Sequence, residues 1–116
     1  MLKAKLHNAV VTDVRMDYEG SLTIDIDLLE AAKILPYEKI LVANLANGNR
    51  FETYAIPAEA GSGMICLNGA TAHKGAVGDR LIIFVFGIVP EEQALQHHPL
   101  ILFLDQNNKP VGELKE

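Results

Sequence analysis

The chain predicts a compact, mainly β barrel with short helices, and three observations carry that prediction. Apolar residues either alternate with polar ones or run in short stretches; turn signals recur at close intervals; and only two segments carry helix-start chemistry. With 116 residues, nearly half of them hydrophobic, the chain has the size of a single domain spanning 1–116 and enough apolar side chains for one core.

Taken in order, residues 2–14 read as a strand region, with Leu6, Val10, Val11 and Val14 among Lys3, Lys5 and Thr12. The stretch Asp17–Asp25 reads as a hairpin: Gly20 supplies a positive-φ turn position, and Leu22, Ile24 and Ile26 alternate with Thr23 and Asp25. Asp27 and Glu30 form a capping-box-like start to a helix over Leu28–Ile34, which Pro36 ends. A strand over Lys39–Leu45, the hairpin signal Asn47-Gly48 and a returning strand over Arg50–Ile56 follow, with a break at Pro57 and Gly61-Ser62-Gly63. Met64–Leu67 is a short strand, and the small residues of 68–73 make a loop or one helical turn. Arg80–Phe86 is apolar on consecutive residues, which predicts a strand buried on both faces. Pro90-Glu91-Glu92 opens a second short helix, with His97-His98 at its exposed end. Leu100–Leu104 is the last strand, before an Asn107-Asn108 turn and a polar tail.

Composition excludes several functions. A net charge of −5 with no cluster of Lys and Arg argues against nucleic acid as a partner. No apolar run approaches the roughly 20 residues of a membrane span, and the N-terminal residues lack the apolar segment of a secretory signal, so no membrane partner and a cytoplasmic location are expected. The single cysteine, Cys66, lies in an apolar run and reads as a buried, inert thiol of a reducing compartment. His7, His73, His97 and His98 have no metal-ligand spacing, so no metal is expected, and no Walker loop, GxGxxG or GxSxG occurs.

What remains is polar chemistry on apolar strands. Lys5 and His7 share a strand face, as do Arg50 and Glu52, with Thr53 and Tyr54 just beyond. Such groups also occur as ordinary cross-strand ladders, and Asn68 before Gly69 is by itself a turn pair. At Gly20–Ser21, a hydroxyl follows a carbonyl that has no flanking Cβ, so the peptide bond is itself a candidate reactant.

Together, Lys5-Leu6-His7, Tyr18-Glu19-Gly20-Ser21, Asp25, Asn47-Gly48-Asn49-Arg50-Phe51-Glu52-Thr53-Tyr54, Gly61-Ser62-Gly63, Asn68-Gly69-Ala70 and Gly78-Asp79 with Ile82-Ile83 closely resemble the pyruvoyl-dependent aspartate 1-decarboxylases, over about residues 1–86. Asn8 stands where an arginine commonly follows the histidine, and Thr71 replaces an alanine; neither departure is expected to touch a group the chemistry requires.

The resemblance implies a double-psi β-barrel and a homotetramer with active sites between subunits. It implies self-cleavage at Gly20–Ser21 into a 1–20 β chain and a 21–116 α chain: Ser21 Oγ attacks the Gly20 carbonyl, the resulting ester eliminates to the Gly20 carboxylate and a dehydroalanine, and hydrolysis of the latter with loss of ammonia leaves a pyruvoyl group at position 21. That covalent group is the implied cofactor, an electron sink that holds the substrate amine as a Schiff base, as PLP does elsewhere. The Thr53 hydroxyl is the implied oxyanion donor with Asn68 in support, and Tyr54 the implied proton donor. Lys5 and Arg50 would bind the carboxylates of L-aspartate; Thr53, Gly69, Ala70 and Ile82 would line its site; His7 and Tyr18 would support cleavage. The product would be β-alanine for pantothenate synthesis. An accessory maturation factor would leave no mark in this sequence. Two alternatives stay open at this stage: a non-enzymatic barrel used for recognition, which would stay one band on a denaturing gel, and a self-processing serine hydrolase.

Overall fold

A computed structural model describes residues 1–115. Nine strands are β1 Leu2–Val10, β2 Asp13–Arg15, β3 Ser21–Asp25, β4 Lys39–Asn44, β5 Arg50–Ala58, β6 Ile65–Asn68, β7 Arg80–Phe86, β8 Leu100–Leu104 and β9 Pro110–Lys115. The helix α1 covers Ile26–Ala32, and two 3₁₀ segments cover Gly69–Lys74 and Glu91–Gln96. The strands pair in the order β2-β6-β3-β5-β4-β7-β1-β8-β9. Most pairs are antiparallel, but β3 runs parallel to β5, β1 parallel to β8 and β2 parallel to β6. This mainly β architecture with mixed, crossing connections fits the double-psi β-barrel expected from the resemblance. One cluster of buried apolar residues, among them Leu6, Leu22, Ile24, Leu29, Ile65 and Ile83, fills the inside.

Alternation decides which side chains reach that core. On β1, Ala4 and Leu6 are buried, while Lys3, Lys5 and His7 point the other way and are half-buried. The alternation breaks at Asn8, where φ is +70° and the register with β7 shifts. Asparagine is among the few residues that accept this left-handed backbone. The Asn47-Gly48 signal forms its hairpin: Gly48 has φ +76°, and its N–H donates to Asn44 O at 2.9 Å.

Several expectations are corrected. The 13–25 stretch is no hairpin, because β2 runs parallel to β6 on one side while β3 runs antiparallel to it on the other. Gly20 is not among the positive-φ glycines; the turn falls at Met16–Asp17. Helix α1 starts two residues early because Asp25, not Asp27, is its N-cap. The buried Asp25 carboxylate accepts from Asp27 N at 2.8 Å and also from Gly61 N at 3.2 Å and Gly63 N at 2.8 Å, tying the helix start to the 61–63 loop. Strand β5 continues through Pro57, which sits opposite Ile24 in the ladder with β3.

Strand β7 is not buried on both faces in the single chain. Leu81, Ile83 and Val85 enter the core, whereas Ile82 and Phe84 are half-buried and Phe86 is 55% exposed. The polar tail forms β9 against β8, since the ladder satisfies backbone groups whatever the side chains. Pro90 is an N-cap rather than a first helical residue, and the segment after it is 3₁₀. His97 is half-buried instead of exposed, its Nε2 lying 2.6 Å from Leu2 O.

Candidate active site

The ladder between β3 and β6 places Ser21 directly opposite Asn68. Strand periodicity then brings Ser21 and Thr23 to the same face. The Asn68 amide bridges them: Nδ2 donates to Ser21 Oγ at 2.9 Å and to Thr23 Oγ1 at 2.7 Å. Cys66, two residues before Asn68 on the same face, donates its S–H to Asn68 Oδ1 at 3.2 Å. All three hydrogen-bonding positions used by the amide are thus filled, which fixes its orientation. Burial pushes the Cys66 thiol above its usual range, the nearby Arg15 opposing, so the group stays a protonated donor. The cysteine is buried, as expected, but it also orients a neighbour.

Ser21 is fully buried, while Gly20 before it is exposed. The Ser21 hydroxyl donates weakly back to Glu19 O at 3.4 Å. Its oxygen is thereby held on the Gly20 side of its own residue. Thr71, in the 3₁₀ turn after β6, closes the cluster from below: its Oγ lies 2.7 Å from Asn68 O and 3.2 Å from Ser21 O. The departure at Thr71 therefore does touch the reacting residue, contrary to the expectation from sequence.

Gly69 makes this approach sterically feasible. Its φ is +61°, and a Cβ there would meet Tyr18 O at 2.5 Å, Gly20 N at 2.7 Å and Gly20 Cα at 2.9 Å. These are backbone atoms that cannot swing aside. Gly69→Ala is expected to push the 18–20 segment off the turn, destabilise the fold by about 1–3 kcal/mol and slow any chemistry at Gly20–Ser21 at least tenfold. Thermal melting and intact-mass time courses measure the two effects.

A second group of candidates lies on the outer face of the sheet. Lys5 is the cross-strand neighbour of Phe84 on β7, with its Nζ 5.8 Å from the ring centroid. The Arg50 guanidinium carbon lies 5.7 Å from the same centroid. One aromatic ring thus gathers two cations, and among the described residues neither has an ion-pair partner; Glu52 instead meets Lys39 at 2.8 Å. Ile82 stands in register with both Ala43, itself opposite Arg50, and His7. His7 packs edge-on against Phe103 at 5.2 Å, and its buried Nδ1 has no hydrogen-bond partner among the described residues.

Burial first, then the Lys5 and Arg80 charges, lowers the His7 pKa, so the ring is neutral near pH 7. A depressed histidine pKa means that the unfolded chain binds the proton more readily. The neutral ring's contribution is complete above about pH 6.5 and is lost as pH falls below that toward the folded pKa. The melting temperature of the wild type is expected to fall more than that of His7→Gln between about pH 7 and pH 5.5, as read by calorimetry.

Strand β5 joins the two groups. Arg50 and Tyr54 share its outer face, whereas Thr53 points the other way, is half-buried and makes no side-chain hydrogen bond among the described residues. Ser21 and Tyr54 each stand one residue before the Leu22↔Ala55 pair, and the Tyr54 ring lies 6.4 Å from that of Tyr37. Gly20, Ser21, Asn68, Gly69 and the carbonyl of the exposed Tyr18 come together, with Ala70 on the next residue of the turn. Lys5, Arg50, Ile82 and His7 form the other group. Ser21 on β3 and Lys5 on β1 are not on neighbouring strands: β5, β4 and β7 lie between them in the sheet order.

Thr23, Cys66, Thr71 and Phe84 are the contributors that sequence reasoning missed. The i, i+2 spacing of Ser21 with Thr23, and of Cys66 with Asn68, was a signal that could have found two of them.

The fold and site are those of a small mixed β-barrel with a buried serine hydroxyl directly after an exposed glycine. A family model described as aspartate decarboxylase matches residues 1–111, past the point where the motif resemblance fades. The chain belongs to the aspartate decarboxylase family. It is 52% identical over 112 residues to the aspartate 1-decarboxylase of Thermoanaerobacter pseudethanolicus, covering 97% of this chain and 96% of the relative. It is 56% identical over 111 residues to that of Thioalkalivibrio sulfidiphilus (96% and 88% covered) and 50% identical over 121 residues to that of Chlorobium limicola (100% and 94%).

Proposed function

We propose that the chain decarboxylates L-aspartate to β-alanine and CO2, in the cytoplasm and for pantothenate synthesis, after cutting itself between Gly20 and Ser21 into 1–20 and 21–116. The observation that carries this reading is the Asn68 amide holding the buried Ser21 hydroxyl at 2.9 Å, directly after an exposed glycine. An Oγ held in this way needs no separate base motif to stay near the Gly20 carbonyl. Thr53 is the proposed donor to the oxyanion formed there, with Asn68 fixing the attacking oxygen.

The residues around Ser21 fit a pyruvoyl group. Gly69 leaves the cradle that a Cβ would fill, and Asn68 and Thr71 offer polar atoms at the Ser21 side chain and carbonyl. When formed, that group supplies a carbonyl into which electrons from a substrate carbon can move. Tyr54, on the strand that pairs with β3, is the proposed proton donor. Arg50 and Lys5 are the proposed carboxylate grips, and Ile82 and Ala70 an apolar wall that keeps water from the leaving carboxylate.

The placement of Lys5 and Ser21 on strands that are not neighbours is consistent with a shared site in a homotetramer, with the outer face of one subunit completing the Ser21 cluster of another. The apolar, half-exposed Phe84 and the exposed Phe86 on that face support the same reading.

Intact mass of the purified protein tests this directly. Two chains, 1–20 and a 21–116 chain carrying a carbonyl that phenylhydrazine traps, together with β-alanine formed from aspartate, are expected. A single uncut chain with no trappable carbonyl would end the proposal.

A further inference from the structure

Thr71 has no part in the reaction steps above, yet its side-chain hydroxyl lies within hydrogen-bond distance of the Ser21 carbonyl oxygen, at 3.2 Å. Its hydroxyl is buried and stands between two acceptors, Asn68 O at 2.7 Å and Ser21 O at 3.2 Å. The first is a local bond back to the residue that starts the 3₁₀ turn, and such a bond is common for threonine. The second is tertiary, across 50 residues of sequence. A hydroxyl has one proton and turns freely, so it follows whichever oxygen carries more charge.

We propose that Thr71 is a catalytic residue of self-processing, whose hydroxyl stabilises negative charge on the Ser21 carbonyl oxygen while the ester intermediate eliminates. The inference rests on the self-cleavage reading above. Once Ser21 Oγ has taken the Gly20 acyl group, the Ser21 nitrogen is a free amine and Oγ is esterified. Elimination removes the Cα proton of Ser21 to water. The Cα–H electron pair becomes the Cα=Cβ bond, the Cβ–Oγ bond breaks, and its electrons leave on the Gly20 carboxylate. As the proton departs, charge spreads from Cα onto the carbonyl oxygen in conjugation with it, which is the oxygen that Thr71 faces. Hydrogen bonds strengthen as an acceptor gains charge, so the Thr71 proton swings from Asn68 O to Ser21 O during this step. An alanine here would leave that oxygen without this donor.

The test uses the full chain made by cell-free synthesis and followed by intact mass, with and without a hydroxylamine quench that cuts esters. Thr71→Val is expected to form the mature 21–116 chain about tenfold more slowly and to accumulate uncut but hydroxylamine-cleavable chain, because ester formation continues while elimination lags. Thr71→Ser is expected to behave as wild type. A purely structural role would lower thermal stability without raising the ester fraction. If Thr71→Val fails to fold by circular dichroism, Thr71→Ala carries the same expectation. Wild-type processing in both hydroxyl-free variants, with no ester accumulating, overturns the role of Thr71 alone. A wild-type chain that never cleaves overturns the self-cleavage reading and Thr71 with it.

Discussion

Ser21→Ala is expected to leave the chain whole and without decarboxylase activity. The change deletes the one hydroxyl that the β3–β6 ladder sets beside the exposed Gly20, and Thr23, held by the same Asn68 amide at 2.7 Å, lies two residues too far along the strand to replace it. The fold should survive. Asn68 keeps its bonds with Thr23 and Cys66, and the loss of one net hydrogen bond in a buried site costs about 1 kcal/mol, small beside a barrel's core. A well-folded, single 116-residue chain on a denaturing gel, inert toward aspartate, is therefore the expected result. Cleavage in this variant would show that the hydroxyl is not the nucleophile.

Arg50→Ala is expected to separate the two halves of the chemistry. The Arg50 guanidinium lies over Phe84 on the outer face, and among the described residues no hydrogen bond or ion pair ties it to the Ser21 cluster, so cleavage at Gly20–Ser21 should proceed at the wild-type rate. Catalysis should not. An exposed arginine with no acidic partner among the described residues has its fork of donors available, and a bidentate bond to a carboxylate is among the stronger polar interactions. Its loss is expected to lower kcat/KM for aspartate about 100-fold, with Arg50→Lys recovering only part, because a lysine keeps charge without the planar fork. Turnover measured on fully cleaved protein gives the answer. An unchanged kcat/KM would remove Arg50 from substrate binding.

The candidate site was only partly legible along the chain. Asn47-Gly48 announced its hairpin because a type of backbone that glycine favours is a local requirement, and Arg80–Phe86 was bounded correctly because an apolar run between Gly78-Asp79 and Gly87 has few other readings. Asp25 shows the limit. Its side chain caps a helix and holds two N–H groups 36 and 38 residues away, and only the first of those tasks is local. Asp27 and Glu30 carried the same local signal and lost to it. Gly20 was misread for a similar reason: β6 intervenes between β2 and β3, and no pattern within 13–25 records a strand that arrives forty residues later.

By themselves, the residues determined a mainly β chain, its strand alternation, and a set of motifs that place it among aspartate decarboxylases. Tertiary structure alone decided that Asn68 serves Ser21 and Thr23 at once, that Thr71 faces the Ser21 carbonyl, and that Lys5 and Arg50 meet over Phe84. The physical reason is range. Alternation and turn chemistry act over a few residues, whereas hydrogen-bond partners and charge pairs depend on which strands become neighbours.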